Sequence, residues 1–424
     1  MTSIAGIEYR ERESWQGPVP ATTRVRVALA GCGAVGSALL REFSARRLAL
    51  AERHGVEIVL TRVLVRDVTR RRDATLDPAL LTSDVDDFLA AEADVVIEAI
   101  GGLDPARRIA ESALGRGLPL VTANKLLLAS CGSELAALAL KNGTTLRYDA
   151  AVGGGVPILR VLDESLGAGG PARVRGILNG TANFVLTRLE DGVSFDAALE
   201  EARAAGFAEA DASRDLDGRD AADKIALVAW AAFGVSPEQL PVRRTSLLPD
   251  AERYVRLAAR LDARVRKVAE CVLVDGEVVA SVEPLLVPAD SALARTRDEG
   301  NLAEVFTGWR APLCASGPGA GGLPTATALL SDLVSTSATP RRRPGVPVAT
   351  RDTRSFCWAI EIQGGPAILH RAVSNCALVH TNDTACLSWT TIAAATPSEI
   401  GELLLALGGT GASPLAARFD EACS

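Results

Sequence analysis

The chain has 424 residues, of which 48% are hydrophobic and 23% are charged, and its formal net charge is −7. This length and composition are typical of a globular protein with two or three domains. The negative charge argues against nucleic acid as the main partner, because proteins that bind nucleic acid usually carry a basic surface. The longest apolar run, Ile225–Val235, is too short to cross a bilayer, so no membrane partner is expected.

The eight cysteines are scattered and form no C-x-x-C pair. One of them, Cys32, lies inside a glycine-rich loop, where a disulfide would obstruct a ligand. This pattern predicts unpaired thiols in a reducing, cytoplasmic compartment, and residues 1–23 lack the pattern of a signal peptide. The three histidines are far apart in the sequence and indicate no zinc site.

Almost all basic residues are arginines, and the lysines are only Lys125, Lys141, Lys224 and Lys267. Arginine stays protonated in proteins, whereas the pKa of a lysine can be tuned for proton transfer. The scarce lysines are therefore candidates for positions that need an ammonium group. Codon bias explains the same scarcity, and composition does not separate the two explanations.

Residues 24–148 alternate predicted strands and helices. This rhythm is typical of a parallel sheet with helices on both faces, so we expect a Rossmann-type, doubly wound α/β domain. The predicted strands cover 25–30, 56–65, 94–100 and 118–122, and the predicted helices cover 34–53, 105–116 and 131–142.

A glycine-rich loop joins the first predicted strand to the first predicted helix. Gly31, Gly33 and Gly36 satisfy G-x-G-x-x-G, and the loop also contains Ala34 and Val35. The first glycine permits a tight turn, the second lets a pyrophosphate approach the backbone, and the third lets helix and strand pack closely. The loop therefore predicts a bound dinucleotide; the alternative is a packing turn that binds nothing.

The end of the second predicted strand bears on cofactor preference. An acid at this place would bond the ribose hydroxyls of NAD, whereas an arginine favours the 2′-phosphate of NADP. Arg66 comes before Asp67, and 70–72 are all arginines. We therefore expect NADP to be preferred over NAD, the alternative being that the basic run is a solvated loop.

Two further predicted strands end in small or polar residues. Ile100, Gly101 and Gly102 close one strand, and Thr122 and Asn124 follow the other, directly before Lys125. The carboxyl ends of parallel strands face the ligand crevice, so these residues are expected to border the cofactor. Lys125 could reach a substrate carbonyl or carboxylate from there, unless it is a surface lysine at a helix start.

The segment 206–224 is rich in acids and ends at Lys224. Aligning Asp215, Asp217 and Gly218 to the pattern of a calcium loop places Lys224 where an acid is required, so we exclude that site. Asp220 and Lys224 share one helical face, and Lys224 leads into an apolar helix. This spacing fits either an ordinary ion pair near a helix start or a proton donor held by a carboxylate, and the residues alone leave both open.

After Asp149 the pattern changes to that of an α+β domain. The predicted strands are 173–178, 265–273 and 277–286, and the predicted helices are 195–205 and 218–233. Residues 336–353 have the composition of a linker. We expect a flexible arm at 1–23, a dinucleotide-binding domain at 24–148, a second domain at 149–312 and a small C-terminal module at 354–424.

Several motifs together resemble those of the homoserine dehydrogenase family, and they run in the family's order across about 24–335. They are Gly31–Gly36, Thr122–Lys125, Ala150–Pro157, Gly176–Asn183, Gly206–Lys224 and Gly317–Ala326. The resemblance implies a homodimer or homotetramer that reversibly reduces L-aspartate 4-semialdehyde to L-homoserine with NADPH or NADH. It also implies that 313–335 return to the dinucleotide-binding domain, with Gly317 and Gly322 near the cofactor.

The resemblance further implies roles for individual side chains. Lys125 and Lys224 match the catalytic lysines. The substrate-binding residues that it implies are Glu209, Asp215, Asp220, Asn179, Gly180 and Thr181. A monovalent cation, Na or K, would be held largely by backbone carbonyls at Asp149, Val152, Gly154 and Val156.

Three positions depart from the family pattern: Asp149 replaces a glutamate, Ala212 a proline and Ala182 a hydroxyl residue. The first puts the cation site in question. Together they leave two alternatives open, a related oxidoreductase that acts on another small aldehyde or hydroxy acid in specialised metabolism, and a non-catalytic NAD(P)-binding regulator.

The C-terminal stretch has a strand-like segment at 356–362, a helix-like one at 365–373, a strand-like one at 387–392 and a helix-like one at 397–407. This order suggests a degenerate ACT-type regulatory module, as some family members carry. The alternative is a structural appendage that binds no amino acid.

Overall fold

The structure is a computed structural model, and it describes residues 22–70, 72, 76–165, 169–308, 311–337, 354–363, 377–383, 387–408 and 413–419. Residues 1–21 of the expected arm, 338–353 of the expected linker and the helix expected at 365–373 lie outside this part of the chain. None of the helices that are described combines the length and the apolar character needed to span a bilayer.

The first sheet is parallel and has six strands in the order β3-β2-β1-β4-β5-β6. The strands are β1 (Thr23–Ala30), β2 (Val56–Leu64), β3 (Leu81–Thr82), β4 (Val95–Glu98), β5 (Leu120–Thr122) and β6 (Leu146–Arg147). This order is that of a dinucleotide-binding Rossmann sheet, so the predicted fold class is confirmed.

Among the described residues, five α-helices belong to this domain: α1 (Ala34–Ala45), α2 (Arg47–His54), α3 (Val85–Ala90), α4 (Ala106–Gly115) and α5 (Lys125–Lys141). The helix expected at 34–53 is interrupted at Arg46, where φ is −104° and ψ is 8°. The helix expected at 131–142 begins earlier, at Lys125, because the side chain of Asn124 caps it by accepting from the N–H of Leu127.

Alternating residues of the central strands fill two cores. Val27 and Leu29 of β1 pack on the face that α1 covers, whereas Ala28 and Ala30 pack with α4 and α5 on the other face. Burial on both faces explains why these strands are continuous apolar runs. The same arrangement leaves the carboxyl ends of the strands free to form a crevice.

In the part of the chain that the structure describes, the second sheet has ten strands, ordered β12-β11-β7-β9-β10-β16-β13-β15-β14, with β8 beside β10. Six come from the second domain: β7 (Arg173–Ile177), β8 (Val242–Arg244), β9 (Ala263–Val274), β10 (Glu277–Pro288), β11 (Gly300–Phe306) and β12 (Leu313–Pro318). The helices are α6 (Asp149–Val152), α7 (Ile158–Glu164), α8 (Gly180–Glu190), α9 (Phe195–Ala204), α10 (Ser213–Leu216), α11 (Arg219–Phe233), α12 (Ala251–Arg260), α13 (Ala292–Arg295) and α14 (Gly322–Val334).

The segment expected to return to the first domain is divided between both domains. Strand β12 pairs antiparallel with β11 and so belongs to the second sheet. Helix α14 alone packs against α1, and its Leu329 and Leu333 lie in the core of the first domain. Helix α14 therefore links the two domains directly behind the glycine-rich loop.

The C-terminal module consists of β13 (Phe356–Gln363), β14 (Ala377–Asp383), β15 (Leu387–Ala395), α15 (Pro397–Gly408) and β16 (Ser413–Phe419). The strands pair antiparallel in the order β16-β13-β15-β14, which is that of a split βαβ module. The sequence patterns did not predict β14 and β16. Because β16 pairs in parallel with β10, the module continues the sheet of the second domain.

Candidate active site

The glycine-rich loop has a different geometry at each glycine. Gly31 has φ of 103°, and a Cβ there would lie 2.5 Å from the carbonyl oxygen of Ala99. A Cβ on Gly36 would lie 2.0 Å from the carbonyl oxygen of Gly31. Gly33 faces open space and precedes the first turn of α1, which begins at Ala34 and Val35. This arrangement leaves room for a pyrophosphate at a helix N-terminus.

Arg66 and Asp67 differ in how they are engaged. Asp67 accepts from the N–H of Thr69 at 2.8 Å and from its hydroxyl at 2.6 Å, and these bonds lower the pKa of Asp67. Arg66 is exposed and makes no hydrogen bond or ion pair with any residue that the structure describes. One oxygen of the carboxylate is thus bonded within its own turn, whereas the guanidinium is available to a ligand.

The ends of β4 and β5 meet at a buried carboxylate that the sequence analysis did not single out. Glu98 accepts from the N–H of Ile100 at 2.8 Å and from the hydroxyl of Thr122 at 2.6 Å. Asn124 donates to the carbonyl oxygen of Gly102 at 2.6 Å. The strand-end residues expected to border the cofactor are therefore brought together. The sequence feature that could have identified Glu98 is a single acid in an otherwise apolar strand.

One carboxylate, that of Asp220, joins the two candidate catalytic lysines. Lys224 lies one turn after Asp220 on α11, and its Nζ is 3.1 Å from Oδ2. Lys125, the first residue of α5, contacts Oδ1 of the same carboxylate. Lys224 also donates to the carbonyl oxygen of Leu178 at 2.8 Å. The two domains thus each contribute one ammonium group to a single acid.

Asn179 links this carboxylate to a second one. Its Nδ2 donates to Asp215 at 2.6 Å and to Asp220 at 2.9 Å. Its Oδ1 accepts from the N–H of Ala182 at 2.8 Å and thereby caps α8. Asn179 therefore ends the turn after β7 and starts a helix that the sequence patterns did not predict.

The surroundings shift the pKa values of Asp220 and Asp215 in opposite directions. Burial would raise the pKa of Asp220, but the charges of Lys224 and Lys125 outweigh burial and hold the pKa well below its usual range. Burial raises the pKa of Asp215, and the charge of Asp220 adds to that shift. Asp220 therefore stays ionised as the anchor of both ammonium groups.

The remaining expected substrate residues lie at different places around this cluster. The hydroxyl of Thr181 donates to the carbonyl oxygen of Phe207 at 2.6 Å and so ties α8 to the acidic segment. Gly180 packs closely, since a Cβ there would lie 2.7 Å from the carbonyl oxygen of Glu299. Glu209 is exposed and bonds to no described side chain or backbone group, so the structure does not bring it into the cluster.

Two of the departures from the family pattern are explained by packing. The side chains of Ala182 and Ala212 are both buried in the core around α8 and α12. A small apolar side chain fits such a position. These two departures therefore carry no evidence for a different substrate.

The expected cation loop is wound tightly. Gly154 has φ of 59°, and a Cβ there would lie 2.2 Å from the carbonyl oxygen of Gly319. A Cβ on Gly153 would lie 1.9 Å from the carbonyl oxygen of Val156. The loop follows Val152, which is fully buried. A side chain on Gly153 or Gly154 would therefore collide with a backbone carbonyl oxygen, so the loop requires glycine at both positions. Backbone carbonyl oxygens can replace the hydration shell of a monovalent cation.

The side-chain oxygens of Asp149 contact residues outside the expected cation loop. Its Oδ1 accepts from the N–H of Leu159 at 3.1 Å, and its Oδ2 lies 4.0 Å from Nε of Arg160. A backbone carbonyl does not depend on side-chain length, so the replacement of glutamate by Asp149 is no objection to a carbonyl-lined site. Within the described residues, no three His, Cys, Asp or Glu side chains cluster as metal ligands.

The segment Gly317–Gly322, which joins β12 to α14, contacts the glycine-rich loop only at its Gly322 end. A Cβ on Gly322 would lie 3.0 Å from the carbonyl oxygen of Ala34. Gly317 pairs instead with Asn301 in the second sheet, and a Cβ there would lie 3.6 Å from Val156. Gly322 therefore lies beside the expected pyrophosphate site, whereas Gly317 lies beside the expected cation loop.

Lys267 is a further buried lysine that the sequence analysis counted but did not assign. Its Nζ donates to the carbonyl oxygens of Leu216 at 2.9 Å and Thr245 at 2.8 Å. Gly218, which precedes α11, fits against it, since a Cβ there would lie 2.8 Å from Cε of Lys267. Lys267 thus supports the turn that carries Asp220 into the site.

Two family models match the chain. The one described as "Homoserine dehydrogenase, NAD binding domain" matches residues 31–149, and the one described as "Homoserine dehydrogenase" matches 157–334. The first range contains the glycine-rich loop and Lys125. The second contains Asp220 and Lys224, so the matched ranges together include the whole cluster.

Known homoserine dehydrogenases are similar in sequence and in fold. The enzyme of Bacillus subtilis (strain 168) is 35% identical, with 73% of this chain and 72% of that protein covered. The structure of a homoserine dehydrogenase from Thiobacillus denitrificans has a TM-score of 0.84 at 27% identity, with 95% of this chain and 99% of that one covered. A hyperthermophilic archaeal homoserine dehydrogenase in complex with NADPH has a TM-score of 0.59 at 26% identity, with coverages of 76% and 100%.

These matches cover both domains that contribute to the cluster. The chain therefore belongs to the homoserine dehydrogenase family, oxidoreductases that act on a CH–OH group with a nicotinamide cofactor.

Proposed function

We propose that this chain interconverts L-aspartate 4-semialdehyde and L-homoserine, with NADPH preferred over NADH, and that the cluster around Asp220 is its active site. The observation that carries the proposal is the contact of Lys125 and Lys224 with one carboxylate. Two ammonium groups and one ionised acid leave one net positive charge. Such a charge stabilises the negative oxygen that develops when an aldehyde is reduced.

The mechanism assigns charge and proton transfer to the two lysines. When bound, the nicotinamide supplies the hydride that reduces the aldehyde carbon. The developing alkoxide receives its proton from an ammonium group of Lys125 or Lys224. Asp220 holds both ammonium groups in place, and the carbonyl oxygen of Leu178 fixes Lys224 further. In the reverse direction the same lysine takes the proton of the homoserine hydroxyl.

The acids beyond Asp220 provide a place for the α-amino group of the substrate. Asp215 is partly buried and is oriented by Asn179, so its second oxygen can accept from an ammonium. Thr181 and Gly180 shape the neighbouring turn. Glu209 lies on the same segment as Asp215, and we propose that it reaches the substrate only when that segment closes.

The end of β2 supports the proposed preference for NADPH. Arg66 is free to meet a 2′-phosphate, and Asp67 is already bonded to Thr69. Both bonds from Thr69 go to Oδ1 of Asp67 and hold this carboxylate in its own turn, whereas nothing in the described part of the chain holds the guanidinium of Arg66. The archaeal relative with NADPH bound agrees with this preference.

A monovalent cation and a self-association complete the proposal. The tight loop around Gly154 would hold Na or K through backbone carbonyls at Asp149, Val152, Gly154 and Val156. On the family resemblance we propose a homodimer formed through the second domain, or a homotetramer, in the cytoplasm. Light scattering coupled to size exclusion tests the assembly, and a monomer at micromolar concentration would contradict it.

The assay that tests the function follows oxidation of L-homoserine with NADP and with NAD, read as absorbance of the reduced cofactor. We expect turnover with both and a higher kcat/KM with NADP. Absence of turnover by folded protein with either cofactor would overturn the proposal. Faster turnover of another short hydroxy acid or aldehyde would favour the related oxidoreductase instead.

A further inference from the structure

Glu98 is fully buried at the end of an otherwise apolar strand. Besides the bonds from Ile100 and Thr122, the N–H of Gly101 and the amide of Asn124 each donate to Oε1 at 3.4 Å. All four partners are donors, and an ionised carboxylate is the form that accepts from all of them. Burial raises the pKa of Glu98, and these hydrogen bonds oppose that shift.

These bonds order the two loops that border the cofactor crevice. One loop contains Gly101 and Gly102, with φ of 76° and 78°, and it is fixed to Glu98 through the N–H groups of Ile100 and Gly101. The other loop contains Asn124, whose N–H donates to the hydroxyl of Thr122 at 3.0 Å. Asn124 in turn caps the helix that begins with Lys125.

Glu98 differs from every other buried carboxylate in the described part of the chain. The other seven, which are Asp149, Asp220, Glu270, Glu283, Glu304, Asp332 and Glu361, each lie within 4.0 Å of an arginine or lysine nitrogen. No described cation forms such a pair with Glu98. A buried charge without a counter-charge is costly, so a partner that the chain itself does not supply would stabilise it.

We propose that Glu98 is a positioning residue for the nicotinamide and that its unpaired charge favours binding of the oxidised, positively charged ring over the reduced, neutral one. The inference rests on the proposed placement of the nicotinamide beside the ends of β4 and β5. In a crevice of low dielectric constant, a carboxylate a few ångströms from the ring distinguishes the two redox forms. The hydrogen bonds of Glu98 alone would not distinguish the oxidised ring from the reduced one, because they order the two loops equally for both.

The test measures the Kd of NADP+ and of NADPH by isothermal titration calorimetry. Glu98→Gln removes the charge and keeps the shape. We expect its ratio of Kd for NADP+ to Kd for NADPH to rise roughly five- to tenfold over that of the unaltered protein. Thr122→Val removes a hydrogen bond but no charge, so it should weaken the binding of NADP+ and of NADPH by the same factor. Glu111→Gln, on the exposed face of α4, removes a charge far from the crevice and should change neither Kd.

Several results would overturn the proposal. If Glu98→Gln changes the Kd of NADP+ and the Kd of NADPH by the same factor, or changes neither, Glu98 has a purely structural role. Glu98→Asp keeps the charge one methylene further away, so a rise of the ratio by about five- to tenfold in that variant would contradict the proposal even if Glu98→Gln does not fold. If the unaltered protein binds neither form, the placement of the dinucleotide itself is wrong.

Discussion

Lys125, the first residue of α5, contacts the carboxylate of Asp220 on α11, 95 residues further along the chain. The two helices come from different domains. They also pack closely at Gly132, where a Cβ would lie 3.2 Å from the ring of Trp230. The active site proposed above therefore depends on this packing, because neither domain alone holds both lysines.

The two lysines are expected to be essential in equal measure. Lys125→Met and Lys224→Met each remove an ammonium group from the oxygen that becomes negative, so kcat should fall at least about 100-fold. Lys141→Met is the matched control, since Lys141 is exposed at the far end of α5. Initial rates of homoserine oxidation check this expectation, and equal losses in all three variants would refute the assigned roles.

Asp220→Asn should affect catalysis and stability together. The amide keeps the shape but leaves Lys224, whose side chain is 12% exposed, without its counter-charge. We expect kcat to fall about 100-fold and the free energy of unfolding to fall by about 3 kcal/mol. Asp223→Asn on the same helix, where Asp223 pairs with the exposed Arg214, is the control and should change either quantity little. Rates and urea unfolding measure the two effects; a stable, active Asp220→Asn would contradict the assignment.

The local parts of the site were predictable from the sequence. The glycine-rich loop, the strand-end position of Lys125 and the shared helical face of Asp220 and Lys224 are all set by spacing along the chain. The contact between Lys125 and Asp220 depends on how two domains pack, and no local pattern encodes that packing. The resemblance to known enzymes assigned both residues to one active site but did not predict that they contact each other.

The errors in the predicted elements have physical causes. Helix α5 starts at Lys125 because a single side chain, Asn124, caps it, whereas the apolar pattern predicts a helix only from Cys131 onward. The interior of α5 is irregular at Cys131, with φ of −152°, which blurs the helical period there. The partners of Lys267 lie at the ends of other elements, so no pattern within its own strand indicated them. Glu98 was visible only as a single charge at the end of an apolar strand.

Cofactor preference provides a further test at Arg66. Arg66→Ala removes the guanidinium proposed to meet the 2′-phosphate, so kcat/KM with NADP should fall about tenfold or more while that with NAD stays within about twofold. Arg41→Ala, on the exposed surface of α1, removes the same charge as a control. The ratio of the two kcat/KM values is the measured quantity. An unchanged ratio would mean that the basic run is only a solvated loop.

Lys267 is expected to make stability depend on pH. Burial lowers the pKa of Lys267 to about 7, whereas in the unfolded chain it should titrate near 10.5. Between these values the unfolded chain binds more protons than the folded one, so the free energy of unfolding rises with pH, by up to about 1.4 kcal/mol per pH unit. Below pH 7 both states are protonated, and this slope disappears.

The variant Lys267→Met isolates that slope. The variant loses the two hydrogen bonds to Leu216 and Thr245, which lowers its stability by an amount that does not depend on pH. All other titrating groups are the same in the variant and in the unaltered protein. The difference in thermal midpoint, unaltered protein minus variant, should therefore increase from pH 7 to pH 9.5. Lys141→Met, at an exposed position, should show no such trend. A constant difference over this range would mean that Lys267 stays charged and that its two carbonyl partners balance its burial.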